Sequence, residues 1–313
     1  MFTHTRDDIH GTLISERTST LLANSWANRV AVRTSSFEAS NYYDISLPDY
    51  PPDLVPFRYV PAYAELDEVI QRRILAGAWI AYNEKTIGVE TFIVAPACQL
   101  LLRGAFDGVN SGAVKRVIAQ TQVDEQFHIL MCMEACLLTR QMHGLQGLVI
   151  PVGAVVKELE ADMARAPGGQ PGELIQLAYA VVAEVTINAY LDLLADDTTI
   201  QPFNRETTAL HRKDEYSHRK IFADLTPQIV AHLSSEERSL FLQSLARGLD
   251  AFVKIDFNSW RSILTFLGVA DADDILLACL AGNPSSRIVR DYTGFRRLLA
   301  EMGVEEREVA FEF

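Results

Sequence analysis

Along most of the chain apolar residues recur every three or four positions, the spacing of one face of an α-helix. The pattern predicts helices over residues 64–82, 84–107, 110–142, 152–165, 172–196, 203–224, 234–267, 271–282 and 286–302. Between them stand Gly144 and Gly147, Pro167-Gly168-Gly169 with Pro171, Asp196-Asp197, Pro202, Pro227 and Asn283-Pro284, residues that stop helices or turn the chain. Upstream, Asp7 to Arg29 reads as a further helix, with Ile14, Leu21, Leu22 and Trp26 near helical spacing. Residues 30–62 break the pattern, because Pro48, Pro51, Pro52, Pro56 and Pro61 cannot sit inside a regular helix. The aromatics of that stretch, among them Tyr43, Tyr50 and Phe57, suit it to packing against a body of helices. No sustained β alternation and no fixed-period repeat occurs. The expected class is all-α: long helices in a bundle with additional flanking helices, one domain over residues 1–313. Within it, 1–62 is an irregular segment packed on a helical bundle of residues 63–302.

Composition narrows the function classes. Apolar residues make up 49% and charged residues 22%, ordinary for a soluble globular protein. The first ten residues are polar, and the longest apolar stretches, such as Ile275–Ala281, are too short to span a bilayer. The expectation is a cytoplasmic protein with no membrane partner. A net charge of −13, from 28 basic and 41 acidic residues, argues against a nucleic-acid footprint. Cys98, Cys132, Cys136 and Cys279 are irregularly spaced. Cys132 and Cys136 share a helix face and read as packing residues.

The candidate chemistry lies in two Glu-x-x-His pairs, Glu125–His128 and Glu215–His218. Residues three apart on a helix lie on one face, so both side chains can reach one metal ion. One such pair is weak information, as any short motif is. Two further glutamates, Glu90 and Glu184, sit in apolar helical surroundings, where an unpaired carboxylate is costly. Together they give Glu, Glu-x-x-His, Glu, Glu-x-x-His on four successive helices, the donor set of a two-metal carboxylate site. His211 precedes Glu215 by four residues and falls on the same face, a seventh ligand or a hydrogen-bond donor behind one. Seven nitrogen and oxygen donors suit two octahedral ions better than one zinc, with iron first and manganese second.

The order Glu90, Glu125-x-x-His128, Glu184, His211-x-x-x-Glu215-x-x-His218 resembles the di-iron arylamine N-oxygenases, the p-aminobenzoate N-oxygenase (AurF-like) group. The intervals of 35, 59 and 27 residues and the segment Tyr82-Asn83-Glu84-Lys85-Thr86, followed by Pro96-Ala97-Cys98, are similar too. In that resemblance the extra histidine, here His211, distinguishes the group from ribonucleotide reductase, desaturase and bacterial multicomponent monooxygenase sites. The resemblance implies a ferritin-like four-helix di-iron bundle, commonly a homodimer, with all seven residues as iron ligands. It implies two Fe ions that take O2 as co-substrate through a peroxo-di-iron species. An amine would be oxidised to a hydroxylamine, nitroso or nitro product, in natural-product (antibiotic) biosynthesis. No flavin or nicotinamide signature occurs, so electrons would come from an external donor.

The family's substrates often carry a carboxylate, and an arginine is its natural partner. Among Arg287, Arg290, Arg296 and Arg297, the resemblance favours Arg290. Helical phase makes Thr86, Ile187 and Tyr190 candidate substrate walls; Tyr82 is a further candidate, for which core packing is the favoured role. His4, His10, His143 and His232 receive no role, and Trp26, Trp79 and Trp260 read as core residues, not electron relays. Two other readings stand: another di-iron oxidase, such as a C–H hydroxylase or desaturase-like enzyme, and a non-catalytic metal-binding bundle.

Overall fold

The computed structural model describes residues 6–34, 43–282, 287 and 291–313, with side chains from residue 16 onward. It is all-α. Among the described residues the only extended pairing is an isolated bridge between Lys254 and Arg287. The helices are α1 (Arg6–Arg29), α2 (Ala31–Thr34), α3 (Pro61–Ala64), α4 (Glu68–Val89), α5 (Ala95–Leu102), α6 (Gly112–His143) and α7 (Ala154–Arg165). They continue with α8 (Gln170–Ala195), α9 (Pro202–Val230), α10 (Ser235–Val253), α11 (Phe257–Phe266), α12 (Ala272–Gly282) and α13 (Thr293–Glu301).

Local chemistry sets the ends of the long helices. Asp67 caps α4 by accepting the Val69 amide, and Ser111 caps α6 by accepting that of Val114. Helix α6 closes at Gly144, whose φ of 65° is the left-handed conformation glycine adopts freely. Ser234 and Glu237 form a reciprocal capping box on α10. Pro171 and Pro202 stand in the first turns of α8 and α9, where a missing amide costs nothing.

Four helices, α4, α6, α8 and α9, make the ferritin-like bundle. Helix α8 packs on α9 and α10, α4 on α6, and α6 on α9, while α1 lies across α6 and α9. Helix α8 corrects the reading that no apolar stretch has the length of a membrane span. It runs for 26 residues, and its most apolar 18-residue window has a mean hydropathy of 1.5, yet 94% of that window is buried inside the protein. A helix apolar on all sides needs apolar neighbours, and here other helices supply them. The segment after α2 is irregular from residue 43 to Pro51 and is tied to the bundle through the buried carboxylate of Asp49. Tyr43 donates to Asp49 Oδ1 (2.8 Å), His143 Nε2 stands 2.8 Å from Oδ2, and Asn204 donates to the Asp49 carbonyl (2.8 Å). His143, given no role above, is therefore a tether.

Several boundaries differ from those the periodicity predicts; the helix expected over 286–302, for one, begins at Thr293, with Arg287 in the bridge to Lys254. The separate helices over 64–82 and 84–107 are one continuous helix running from α4 to α5 through a single π-turn, Glu90–Val94. The Ala95 amide reaches back five residues to the Glu90 carbonyl. Pro96 has no amide to offer, and α8 makes up the loss: Gln176 Nε2 donates to the carbonyls of Phe92 (3.1 Å) and Ile93 (2.8 Å). Helix α9 passes its expected stop at Pro227 because Leu225, Thr226, Ile229 and Val230 are buried on one face and hold the final turn. The expected helix over 234–267 is divided at Lys254–Asp256. Asp256 caps α11 through Asn258 N (3.0 Å) and also takes Ala154 N (3.1 Å), a signal the apolar periodicity masks.

Candidate metal centre

The seven residues singled out by the sequence meet in the middle of the bundle, each at most 4% exposed. Glu90 opens the π-turn, Glu125 and His128 project from α6, Glu184 from α8, and His211, Glu215 and His218 from α9. Two overlapping groups have donor atoms within 4.8 Å of one another: Glu90, His128, His211 and Glu215, and Glu125, His128, Glu215 and His218. Glu125 and Glu215 are central. His128 Nδ1 lies 3.1 Å from Glu125 Oε2 and 3.4 Å from Glu215 Oε1. His218 Nδ1 lies 2.9 Å from Glu125 Oε1 and 3.5 Å from Glu215 Oε1. His211 Nε2 stands 3.0 Å from Glu215 Oε1 and 3.6 Å from Glu90 Oε1. Glu184 is the outlying member, with Oε2 4.0 Å from His218 Nδ1.

The orientation of the histidines comes from two aspartates that sequence reasoning missed. His128 Nε2 is 3.3 Å from Asp214 Oδ2, and His218 Nε2 is 3.2 Å from Asp124 Oδ2. The pairing crosses the bundle, since the aspartate preceding one Glu-x-x-His pair holds the histidine of the other. With Nε2–H donated to a carboxylate, each ring turns the lone pair of Nδ1 toward the glutamates. The aspartates are themselves anchored by the N-terminal segment. Trp26 Nε1 donates to both oxygens of Asp124 (2.9 and 3.1 Å), and the Ala31 amide to both of Asp214 (3.2 and 3.1 Å). Trp26 is thus not simply a core residue: it is half-buried and fixes the acid behind His218. The available signal was the repeated Asp immediately before each Glu-x-x-His.

The electrostatics are those of a site built for cations. Burial, then the negative charge of Glu125, pushes Glu90 well above the carboxylate range; burial and Glu215 do the same to Glu184. Burial would also raise Glu125, but the His218 charge and hydrogen bonds from both histidines outweigh it and hold that acid well below its usual value. Burial and Glu125 would likewise raise Glu215, yet His218 and His211 bring it down to about 2. Burial and His211 would lower His128, and bonds to Asp214 and Glu125 carry it up to about 9. Protons therefore occupy the centre when no ion does. Glu90 Oε2, Glu125 Oε1, Glu184 Oε2 and His218 Nδ1 are buried with no aligned hydrogen-bond partner among the described residues. Neighbouring donors around an ion with bonds of about 2.1 Å stand roughly 3 Å apart, which the His–Glu separations match. The donor set fits a pair of oxygen- and nitrogen-preferring ions.

A narrow slot opens against this cluster. Glu90, Glu184 and Glu215 form one end. The four candidate wall residues, Tyr82, Thr86, Ile187 and Tyr190, all line it, together with Val89, Val94, Ala183, Phe252 and Lys85. Phe252 and Lys85 went unpredicted, the first because α10 carries no ligand, the second because a lysine in an apolar helix reads as a solvated residue. Arg290 lies outside the described residues. The other arginines are engaged elsewhere: Arg287 with the Glu312 carbonyl and over Phe311, Arg296 with Glu306, and Arg297 with Glu301.

Two comparisons bear on this centre. The 4-aminobenzoate N-oxygenase of Streptomyces thioluteus is 31% identical over 295 residues, 93% of this chain and 88% of that protein. The family described as P-aminobenzoate N-oxygenase AurF matches residues 14–303, a span that contains all seven donors and both aspartates. With likeness over nearly its whole length, the chain belongs to the AurF family of amine N-oxygenases.

Proposed function

We propose that the protein holds two iron ions at this centre and oxidises an aromatic amine at nitrogen with O2, giving a hydroxylamine, nitroso or nitro product. The observation that carries the reading is the buried cluster of Glu90, Glu125, Glu215 and three histidines, with Glu184 at its edge, beside an apolar slot in a chain of this family. The ions would supply oxygen activation, and each hydroxylation would consume one O2, two electrons and two protons, the electrons coming from an external donor. Glu125 and Glu215, in reach of both His128 and His218, would help to hold the ions. Glu90 and His211 would complete one side, and Glu184 the other. Asp124 and Asp214 retain the Nε2 protons and so keep Nδ1 free for metal. Val89, Val94, Ala183, Ile187 and Phe252 give the slot apolar walls, which would keep water from a bound ring. Iron over manganese, a homodimer, and a cytoplasmic role in natural-product biosynthesis complete the proposal.

The test is anaerobic loading with Fe(II), metal counting, and exposure to ¹⁸O2 with 4-aminobenzoate and other aryl amines. Two irons per chain and isotope-labelled N-oxidised product are expected. One zinc, or two irons with every amine left intact, would overturn the reading.

A further inference from the structure

The chain carries a net charge of −13, yet a group of cations gathers around α1 and α2 with no acid to meet it. Arg29 stands one turn after Trp26 on α1, and its Nε and Nη1 are enclosed without a hydrogen-bond partner among the described residues. Arg33 is exposed, its guanidinium 6.0 Å from the centre of the Trp26 ring. Arg116, exposed on α6, donates to Asn24 Oδ1 (3.2 Å), and Lys213, exposed on α9, donates to Thr34 Oγ1 (3.3 Å). Both acceptors are neutral, so none of these cations is ion-paired among the described residues. Like charges held together repel one another, and an anionic partner relieves that repulsion.

Beneath the cations runs a route to the metal centre. Trp26 is partly exposed, its Nε1 donates to Asp124 Oδ2 (3.1 Å), and the same oxygen lies 3.2 Å from His218 Nε2. Two hydrogen bonds thus join an indole at the surface to an imidazole of the donor set. A tunnelling electron loses amplitude more slowly through covalent and hydrogen bonds than across an open gap. The other aspartate offers no such path, since Asp214 is met by the Ala31 amide, which presents no conjugated ring to the surface. The Trp26–Asp124 bond spans 98 residues of chain, which is why the sequence alone gives Trp26 no relay role.

We infer that this face docks an acidic iron–sulfur carrier protein, and that Trp26, Asp124 and His218 conduct its electrons to the centre. The inference rests on the iron-dependent N-oxygenase reading for the need of electrons, and on the cations alone for the charge of the partner. A one-electron carrier suits two ions that each accept one electron. In each transfer the carrier's cluster is oxidised by one electron and one Fe(III) is reduced to Fe(II), so two carriers serve the pair in turn. No bond is made or broken, the indole ends each transfer unchanged, and the Nε2 proton of His218 stays in its bond to Asp124. An indole that merely anchored Asp124 would alter iron affinity, not the rate of carrier-driven reduction at equal iron content.

The experiment uses a reduced plant-type two-iron ferredoxin as the acidic probe. Calorimetry measures its binding to the metal-free and the iron-loaded protein across a salt series, and stopped-flow absorbance follows its reoxidation by the diferric protein. Binding should weaken as salt rises, and the combined Arg29→Gln, Arg33→Gln and Arg116→Gln variant should weaken it and slow electron transfer by about tenfold or more. Trp26→Phe should keep the docking and slow transfer by about tenfold or more at equal iron content. Photoreduced deazariboflavin, a small neutral reductant that can enter through the slot, should reduce every variant at the wild-type rate. Binding indifferent to salt and to the charge variant, or a wild type that takes no electrons from ferredoxin, overturns the docking assignment. Undiminished transfer in Trp26→Phe overturns the route. Should Trp26→Phe lose iron, Ala27→Glu, at an exposed position beside it, sets a like charge against the carrier without touching Asp124, and unimpaired transfer there overturns the assignment equally. Ferredoxin-driven reduction with every amine left intact would sink the N-oxygenase reading and leave the docking face standing; amine oxidation without ferredoxin binding would do the reverse.

Discussion

Replacing Asp124 by asparagine removes one charge and one oxygen while conserving shape, and tests whether the aspartates govern the centre. In the native chain the acid receives the Trp26 indole at 2.9 and 3.1 Å and His218 Nε2 at 3.2 Å. One of its oxygens, Oδ2, serves both donors. In the variant a single amide oxygen must satisfy both, and its own N–H₂ meets whichever donor is left. Hydrogen bonds to a charged acceptor contribute roughly 1.5–3 kcal/mol, and losing such a partner behind a metal-bound histidine lowers affinity about 10–100-fold. That range corresponds to about 1.4–2.7 kcal/mol. The assay is anaerobic Fe(II) binding against a competing chelator, resolving the two sites. Weakening confined to the site that uses His218 is expected, with the half-buried Trp26 changing its fluorescence as its acceptor loses charge. Affinities at both sites within threefold of wild type would refute the idea that Asp124 sets the His218 tautomer. Asp214→Asn is the mirror experiment and should weaken the His128 side, freeing the Ala31 amide as well.

Three other perturbations probe the donor set. Glu184→Ala, which deletes the outlying carboxylate, should bring iron below two per chain; full iron with an unchanged spectrum would make Glu184 an ordinary core residue. His211→Ala should leave helicity intact and weaken one ion by tenfold or more, and unaltered binding of both would remove His211 from the ligands. Metal loading should release protons, because Glu90 and Glu184 are raised and His128 is carried up to about 9 in the absence of ions. The raised groups stabilise the metal-free fold at low pH, and His128's share is lost as pH climbs from its ordinary 6.5 through about 9. Glu215 acts oppositely, its contribution present above 4.5 and lost as pH falls through about 2. Between pH 6.5 and 9 the thermal gain from metal should therefore widen, and a gain that shrinks over that interval would contradict this protonation pattern.

The buried cluster of seven acids and histidines was legible in the sequence because carboxylates in apolar helices are costly unless they meet partners. Glu90 and Glu184 are carboxylates in apolar helices, and the two Glu-x-x-His pairs repeat a one-turn spacing. The long helices were equally plain from their periodicity. What escaped depends on contacts between distant segments. That Asp124 serves His218 and not its own neighbour is settled only when α6 and α9 face each other, and that Trp26 anchors it only when α1 crosses them. Lys85 looks like any solvated lysine until α10 covers it with Phe252. Boundaries failed for a related reason: at Pro227 packing outweighed local propensity, and at Asp256 a cap was hidden inside an apolar run.

The π-turn at Glu90–Val94 has a mechanical consequence. Each residue of an α-helix advances the chain by about 100° of rotation and 1.5 Å. Deleting one residue between Glu90 and Pro96 would restore ordinary winding and swing everything on one side of the cut by that angle. Either Glu90 would leave the metal centre, or Ala97, Cys98 and Leu101, all buried now, would turn out of the core. The extra residue thus lets a single helix address two directions that ordinary winding cannot reconcile, one for chemistry and one for cohesion. Gln176, by occupying the carbonyls of Phe92 and Ile93, keeps that phase offset from relaxing away.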